Sequence, residues 1–302
     1  MYYKAGKLLK QLRIQQGLSQ EKLVGDTMDR SNFGKIESGK QAISKEKMDA
    51  LLEKLGYESA RFFPYVLTDK EFEVFTLRDA LDNCLAHFEI DKAAELVAKM
   101  ETIPEFKKTL HRQYLLKSQA TICLKKEKDF VKAGELLDEA IKTTIPKFEE
   151  KLVHTYLLAT NDIEIINLIA TIYRDNDRVD DAITLLKKLI QNIKSNVMDN
   201  YNKARSLTLV RYSLSLCLGK KELYEEELEV CNEAIETGQK NRVYGLLPML
   251  IFNKAYCLLK LKRPDEIRKL LYQSYFFCEG MGIGWMFVKW FEKINFVSIV
   301  MF

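Results

Sequence analysis

The sequence predicts an all-α fold, with a small helical domain at the amino terminus and a long array of paired helices after it. The 302 residues include only 13 Gly and 5 Pro, too few for the many tight turns of an all-β protein. Apolar residues recur at helical spacing, and from about Glu71 onward no strand-like alternation of any length is present. With 47% hydrophobic and 30% charged residues, the chain can bury a sizeable core, and its length allows about two domains.

Four short helices are predicted before Gly56. Ala5, Leu9 and Leu12 form one apolar face of the first helix, and Gly17 is expected to end it. The four elements are a helix over residues 4–16, a short helix after the N-cap Ser19, a helix over 30–38 after a turn at 25–27 and the cap Asp29, and a helix over 44–55.

Short helices separated by a tight turn are typical of a helix-turn-helix unit, in which the helix after the turn enters the major groove of DNA. Arg suits a guanine edge, Asn suits an adenine edge, Ser adapts to either, and Lys can reach phosphates. A glutamine that opens the second helix lies where a helix N-terminus can meet a phosphate. The residues predicted to contact double-stranded DNA are Gln20, Arg30, Ser31, Asn32, Lys35 and Lys40. The alternative is that these are only solvated polar side chains.

The charge distribution favours DNA contact by these residues. The formal net charge is +4, and residues 1–66 hold 12 Lys and Arg against 8 Asp and Glu. The rest of the chain is balanced, with 35 residues of each sign. A small basic domain joined to a neutral large one indicates a polyanion-binding module attached to something else.

Beyond the first domain, helical runs occur in pairs that fit the tetratricopeptide pattern, in which each helix of a pair has a small residue at its contact with the other. The best copy runs from Ala170 to Leu189. The corresponding second-helix positions are Ala93, Ala133, Ala182, Glu227 and Ile267, which are unevenly spaced. We expect a right-handed superhelix of about five helix pairs with one concave surface. A generic helical array with the same core is the alternative.

The last segment, Trp285–Phe302, is rich in aromatic and β-branched residues. A solenoid needs its final apolar face covered, so a capping helix is one interpretation. The other interpretation is a dimer contact, because large apolar groups lie on more than one face of this segment.

In a tetratricopeptide array the first helix of each pair lines the concave surface. An Asn amide offers both a donor and an acceptor to an extended peptide, Arg can bind a carboxylate with two hydrogen bonds, and aromatic rings give apolar contacts. The residues predicted to line a peptide-binding groove are Arg78, Asn167, Arg174, Tyr212, Asn253 and Tyr256. The alternative is that the two asparagines are ordinary surface or capping residues.

Other functional classes are not supported. His87, His111 and His154 are far apart and have no metal-ligand spacing with cysteine, and the six cysteines are expected to be small core residues in a reducing compartment. The glycines at 280–284 lack the strand and the Lys of a phosphate loop. No nucleophile system, transmembrane segment or signal peptide is found. We therefore predict no catalytic residues, cofactor, metal or membrane association.

The amino-terminal residues also resemble a known family. The stretches Leu12-Arg13, Gly17-Leu18-Ser19-Gln20 and 36–40 (IESGK) are similar to the Xre/Cro-type helix-turn-helix family over about 55 residues. This resemblance implies an ion pair between Arg13 and Glu37. The turn before Asp29 is one residue shorter than in the common pattern. That difference is similar to the Rgg/PlcR/PrgX (RRNPP) group of peptide-responsive transcription regulators.

Taken with the residue patterns, this resemblance implies a cytoplasmic regulator in quorum sensing. Residues 1–65 would bind an operator, and residues 70–302 would form a tetratricopeptide-like receptor for a short signalling peptide. One helix-turn-helix reads few base pairs, so a homodimer or a higher oligomer is expected. Two alternatives are a repressor whose helical domain binds a protein partner rather than a free peptide, and an adaptor that inhibits an enzyme.

Overall fold

A computed structural model of the chain describes residues 3–57 and 69–293. All regular structure within these ranges is helical, which confirms the predicted all-α class. The chain divides into two compact units. The first comprises residues 1–86 and 102–105, and the second comprises residues 87–101 and 106–302.

The first unit begins with four short helices around a small core. Their bounds are α1 Tyr3–Gln15, α2 Gln20–Val24, α3 Arg30–Glu37 and α4 Lys45–Lys54, and the unit also contains α5 Asp69–Ala86. The hydroxyl of Ser19 accepts the amide N–H of Lys22 at 3.1 Å, and the Asp29 carboxylate accepts that of Ser31 at 2.7 Å. These side chains satisfy amides that a helix leaves unpaired at its start, so the predicted caps are confirmed.

The core of these four helices is apolar and tightly packed. Leu9, Phe33 and Leu51 are fully buried, as the helical spacing predicted for each helix. Gly6 lies where α1 crosses the end of α3, and a Cβ at this position would be 1.8 Å from the carbonyl oxygen of Ile36. Only glycine permits this approach between the two backbones.

The described part of the second unit, up to residue 293, is an array of ten α-helices in which each helix packs against the next. Alternate helices also touch, because α7 contacts α9, α9 contacts α11, and α11 contacts α13. The first helices of successive pairs therefore form a layer of their own. The bounds are α6 Ile90–Glu101, α7 Thr109–Ile122, α8 Phe130–Thr144, α9 Thr160–Asp175, α10 Val179–Ser195, α11 Asn200–Lys220, α12 Tyr224–Lys240, α13 Leu247–Lys260, α14 Ile267–Gly280 and α15 Gly284–Lys293.

The predicted repeat register holds through this array. The residues at the repeat positions predicted for the second helices are all buried: Ala93, Ala133, Ala182, Glu227 and Ile267. They lie on α6, α8, α10, α12 and α14, and the helix pairs α7/α8 to α13/α14 follow the predicted order. In the second unit, one residue in the left-handed region lies between the two helices of each pair. These residues are Lys128, Asp177, Glu222 and Lys262, each with φ between 57° and 60°. Arg242, with φ of 58°, lies in such a turn between α12 and α13, so this backbone conformation also occurs between pairs.

Helix α15 packs on α14 and covers part of the last pair. Phe287 is buried and meets the rings of Phe252 and Tyr275 edge-on, with centroids 5.6 and 5.5 Å apart. This contact fits the capping interpretation, whereas residues 294–302 of the predicted segment lie outside the described residues. The start of the predicted boundary between residues 65 and 70 also lies outside them. None of the described helices combines the length and the apolar character that a membrane span requires.

Candidate DNA-binding and peptide-binding sites

A buried polar cluster fixes the orientation of the first three helices. Arg13 on α1 donates to Glu37 on α3 through Nε at 2.7 Å and Nη2 at 3.1 Å, and its Nη1 donates to the carbonyl of Leu18 at 2.7 Å. Gln20, which opens α2, donates its amide to Glu37 Oε2 at 2.7 Å. The ion pair implied by the family resemblance is confirmed, and it links α1, α2 and α3 through one carboxylate.

The short turn between α2 and α3 is held from α4. Residues 25–27 form one 3-10 turn, as expected for a break at this position. The ammonium group of Lys54 donates to the carbonyl of Val24 at 3.0 Å and to the hydroxyl of Thr27 at 2.7 Å. A turn shortened by one residue is thus anchored to the rest of the domain.

Helix α3 presents a polar face to solvent and buries Phe33 and Ile36. The predicted DNA-contacting residues on this helix, Arg30, Ser31, Asn32 and Lys35, are all exposed. Within the described ranges, the side chains of Arg30, Asn32 and Lys35 make no hydrogen bond or ion pair, so their donors are free for a ligand. Lys40, just beyond α3, is exposed as well. The amide of Gln20 is instead bonded to Glu37, and a phosphate contact by Gln20 stays a prediction.

In the second unit, the predicted peptide-binding residue Asn167 stands out. Its side chain is only 5% exposed, and its Oδ1 atom is buried without a hydrogen-bond partner. The side-chain amide makes no hydrogen bond to any described residue. Burying an amide without partners costs free energy, and such a group calls for an explanation. A ligand that bonds to Asn167 would supply one.

Two further predicted residues lie close together. Arg174, two turns after Asn167 on α9, donates from Nε to Asp175 at 2.8 Å and is largely covered. Its positive charge acts on Tyr212 of α11. Burial raises the pKa of the Tyr212 hydroxyl above its usual value, and the Arg174 guanidinium opposes this shift. The structure thus brings Arg174 and Tyr212 to one region between α9 and α11.

The other three predicted residues have different surroundings. Asn253 on α13 donates to the hydroxyl of Ser215 on α11 at 3.0 Å, which links neighbouring first helices. Tyr256 meets the ring of Tyr224 edge-on, with centroids 6.2 Å apart. Arg78 is half-buried on α5, which belongs to the first unit.

Sequence reasoning missed a charged network across α7, α9 and α11. Lys117 donates to Glu164 and, at 3.0 Å, to the side chain of Asn161. Arg205 donates to the other oxygen of Glu164 at 3.2 Å. Glu164 is one turn from Asn167, so the same helical register could have placed it on the same face. This network gives the layer of first helices a polar, charged element next to Asn167.

Three solved structures illustrate what this fold is similar to. PlcR of Bacillus thuringiensis, in complex with the peptide PapR7 and DNA, superposes with a TM-score of 0.73 and 20% identity, covering 96% of this chain and 98% of PlcR. ComR of S. thermophilus, in complex with DNA and its signalling peptide ComS, superposes with a TM-score of 0.60 and 15% identity, covering 96% of this chain and 99% of ComR. The SHP pheromone receptor Rgg2 of Streptococcus dysgalactiae superposes with a TM-score of 0.56 and 14% identity, covering 96% of this chain and 99% of Rgg2.

No curated protein sequence matches this chain. Two family models do. The helix-turn-helix model matches residues 9–62, which contain the second half of α1 and all of α2 to α4. The model of the RNPP family C-terminal domain matches residues 92–286, which contain nearly the whole helical array. Because the second match alone spans more than half of the chain, the protein belongs to the RNPP family.

Proposed function

We propose that the protein is a cytoplasmic transcription regulator of quorum sensing, which binds operator DNA through residues 1–65 and a short signalling peptide through residues 70–302. It acts by binding and not by catalysis. The similar structures of PlcR and ComR contain both a peptide and DNA, which supports this proposal. The observation that carries the DNA-binding half is the exposed, unpaired face of α3, and the buried, unpartnered amide of Asn167 carries the peptide-binding half.

Fluorescence anisotropy on labelled DNA from just upstream of the coding region tests both halves. The purified chain would be titrated at two salt concentrations, with and without the peptide fraction of spent culture medium. We expect specific binding that weakens with salt and changes when the fraction is added. Coupling between two sites is reciprocal, so operator DNA should change peptide affinity by the same factor. If the protein bound no DNA sequence saturably, even after selection from a random pool, the proposal would be contradicted.

Replacing Arg30 by alanine is expected to lower discrimination between operator and mismatched DNA by about 1–3 kcal/mol, because a bidentate contact to a base edge is lost. The matched control is Lys40→Ala, which should weaken binding to all sequences alike if Lys40 contacts a phosphate. Anisotropy titrations with selected and scrambled DNA measure both effects. An Arg30→Ala variant with unchanged base preference would mean that α3 does not read bases.

Replacing Asn167 by alanine is expected to weaken peptide binding about tenfold, since a buried hydrogen bond to the peptide backbone is lost. The helical fold should stay intact, because the Asn167 side chain bonds to no described residue. Affinity selection from a synthetic library of short peptides, followed by calorimetry with the selected peptide, measures the change. Thr121→Ala on α7 is a control outside the predicted set, since its hydroxyl bonds only to the carbonyl of Lys117 among the described residues. Equal affinities of wild type and Asn167→Ala would remove Asn167 from the site.

A homodimer follows from the need to read two half-sites. We place its contact on α14, where Tyr272 and Phe276 are exposed and stack with their centroids 6.4 Å apart, and where Phe277 is exposed beside them. Large aromatic side chains of this kind dominate the energy of protein interfaces. The occupant proposed for this face is a second copy of the chain.

Replacing Phe276, which is 66% exposed, by glutamate is expected to weaken dimerisation by about 2 kcal/mol or more, since the introduced charge would be buried in the contact. Sedimentation equilibrium measures the dissociation constant. The matched control is Val131→Glu on α8, which is 75% exposed and should leave the dimer unchanged. If both variants dissociate like the wild type, the contact lies elsewhere.

A further inference from the structure

Glu227 on α12 is an anomaly of the repeat. It occupies a position where the pattern has a small residue, yet its side chain is buried, with 2% exposure. Its Oε2 atom has no hydrogen-bond partner among the described residues. The neighbouring first helix makes room for it, because a Cβ on Gly219 of α11 would lie 2.8 Å from Oε2. The chain therefore retains a carboxyl group in the core and a glycine that accommodates it.

Two buried thiols lie beside this carboxyl group. Cys231 is one turn after Glu227 on α12, and Cys257 is on α13, the first helix of the next pair. Both cysteines are fully buried, and the ligand atoms of the three residues all lie within 4.8 Å of one another. Zinc–sulfur bonds are about 2.3 Å and zinc–oxygen bonds about 2.0–2.2 Å long, so a cation placed between atoms at these separations comes within bonding distance after small side-chain adjustments.

We propose that Glu227, Cys231 and Cys257 form a binding site for a divalent cation of the zinc class inside the repeat domain. Two thiolates and one carboxylate are ligands that zinc accepts, whereas calcium and magnesium require oxygen ligands alone. The three side chains supply three of the four positions of a tetrahedral site and leave one for a water molecule. Coordination gives Oε2 the partner that it lacks in the protein.

The site joins two repeats. Glu227 and Cys231 belong to the fourth pair and Cys257 to the fifth, so a bound cation connects α12 to α13. Without a cation, burial raises the pKa of Glu227 to about 7, and the hydrogen bond with Cys231 together with burial raises the pKa of the Cys257 thiol. Binding then releases the protons of the ligands to solvent. Cys257 follows Tyr256 directly, which places the site next to a residue of the predicted peptide groove.

Cobalt substitution tests this proposal, because thiolate ligands give Co²⁺ a sulfur-to-metal charge-transfer band. The full chain would be produced under reducing conditions in minimal medium in which Co²⁺ replaces Zn²⁺, so that the ion is available as the protein folds. We expect one cobalt ion per chain after dialysis, and a band whose intensity corresponds to two thiolates. Cys257→Ser should halve that intensity or abolish binding, and Glu227→Gln should lower metal occupancy at least tenfold.

The matched control is Cys278→Ser on α14, since Cys278 is an equally buried thiol outside the cluster. This variant should retain the ion and the full band. If the ligand variants fail to fold, X-ray absorption spectroscopy of the zinc-loaded wild type still tests the proposal. The spectrum must then show two sulfur atoms among the atoms bound to zinc. A wild-type chain without bound metal, a sulfur-free shell, or a band that persists in the Cys231→Ser/Cys257→Ser variant would overturn the proposal.

Discussion

Replacing Glu37 by alanine is expected to destabilise the four-helix domain at the amino terminus by about 3–5 kcal/mol, because removal of one partner leaves a buried charge unpaired. Glu37 is buried and accepts two hydrogen bonds from Arg13 and one from Gln20. Helices α1, α2 and α3 lose their common anchor in this variant. Specific DNA affinity should fall with the population of the folded domain.

Hydrogen exchange of the amides in α1 and α3 measures this change as a free energy of local opening, independently of the repeat domain. The matched control is Lys45→Ala, which breaks the exposed 2.6 Å ion pair with Asp49 on α4 and should change the opening free energy by about 0.5 kcal/mol at most. Wild-type protection of α1 and α3 in the Glu37→Ala variant would show that apolar packing alone orients the helices.

Much of the amino-terminal domain was predictable because its determinants are local. The caps Ser19 and Asp29 act on amides two or three residues away, and the helix ends need a glycine with a left-handed backbone, as at Gly17 and Gly39. The bond from Gln20 to Glu37 joins residues on different helices. Spacing along the chain contains no information on that contact, so the sequence alone predicts only a phosphate contact for Gln20.

The repeat domain was predictable in register but not in its polar contacts. The register predicts that small residues at the helix crossings are buried, and Ala170 and Ala182 are fully buried. The turns inside the pairs, however, use Lys128 and Asp177 at left-handed positions that usually favour glycine, which hides their repetition in the sequence.

The candidate sites depend on contacts between helices far apart in sequence. Lys117 and Glu164 are 47 residues apart, and the thiols of Cys231 and Cys257 meet only because consecutive pairs stack. Helical periodicity does not show which residues of different helices meet, so the sequence predicts only that both cysteines lie in the core. Asn167 was found because its inner-helix register is a local property, whereas its lack of a partner is visible only in the structure.

Replacing Asp162 by alanine is expected to destabilise the repeat domain by about 3–5 kcal/mol. Asp162 lies in the first turn of α9 and is buried. Its Oδ1 accepts hydrogen bonds from Gln113 on α7 and Thr144 on α8, both at 2.7 Å, and its Oδ2 accepts the amide N–H of Ala159 at 2.9 Å. Alanine removes both acceptor oxygens and therefore all three hydrogen bonds. The buried Gln113 amide loses one acceptor, which costs about 1–3 kcal/mol, and each hydrogen bond lost to the charged carboxylate contributes about 1.5–3 kcal/mol.

The matched control for this variant is Asp199→Ala. Asp199 also caps a helix, accepting the amide N–H of Asn202 at 2.9 Å, but the bonds of its side chain stay within the first turn of α11. Loss of an exposed cap costs about 1 kcal/mol. The difference between the two variants isolates the free energy that Asp162 contributes by joining two consecutive pairs. Amide exchange in α7 and α9 measures it, because opening there reports the interface between pairs. Equal destabilisation by both variants would mean that Asp162 acts as a cap alone and that apolar packing holds the pairs together.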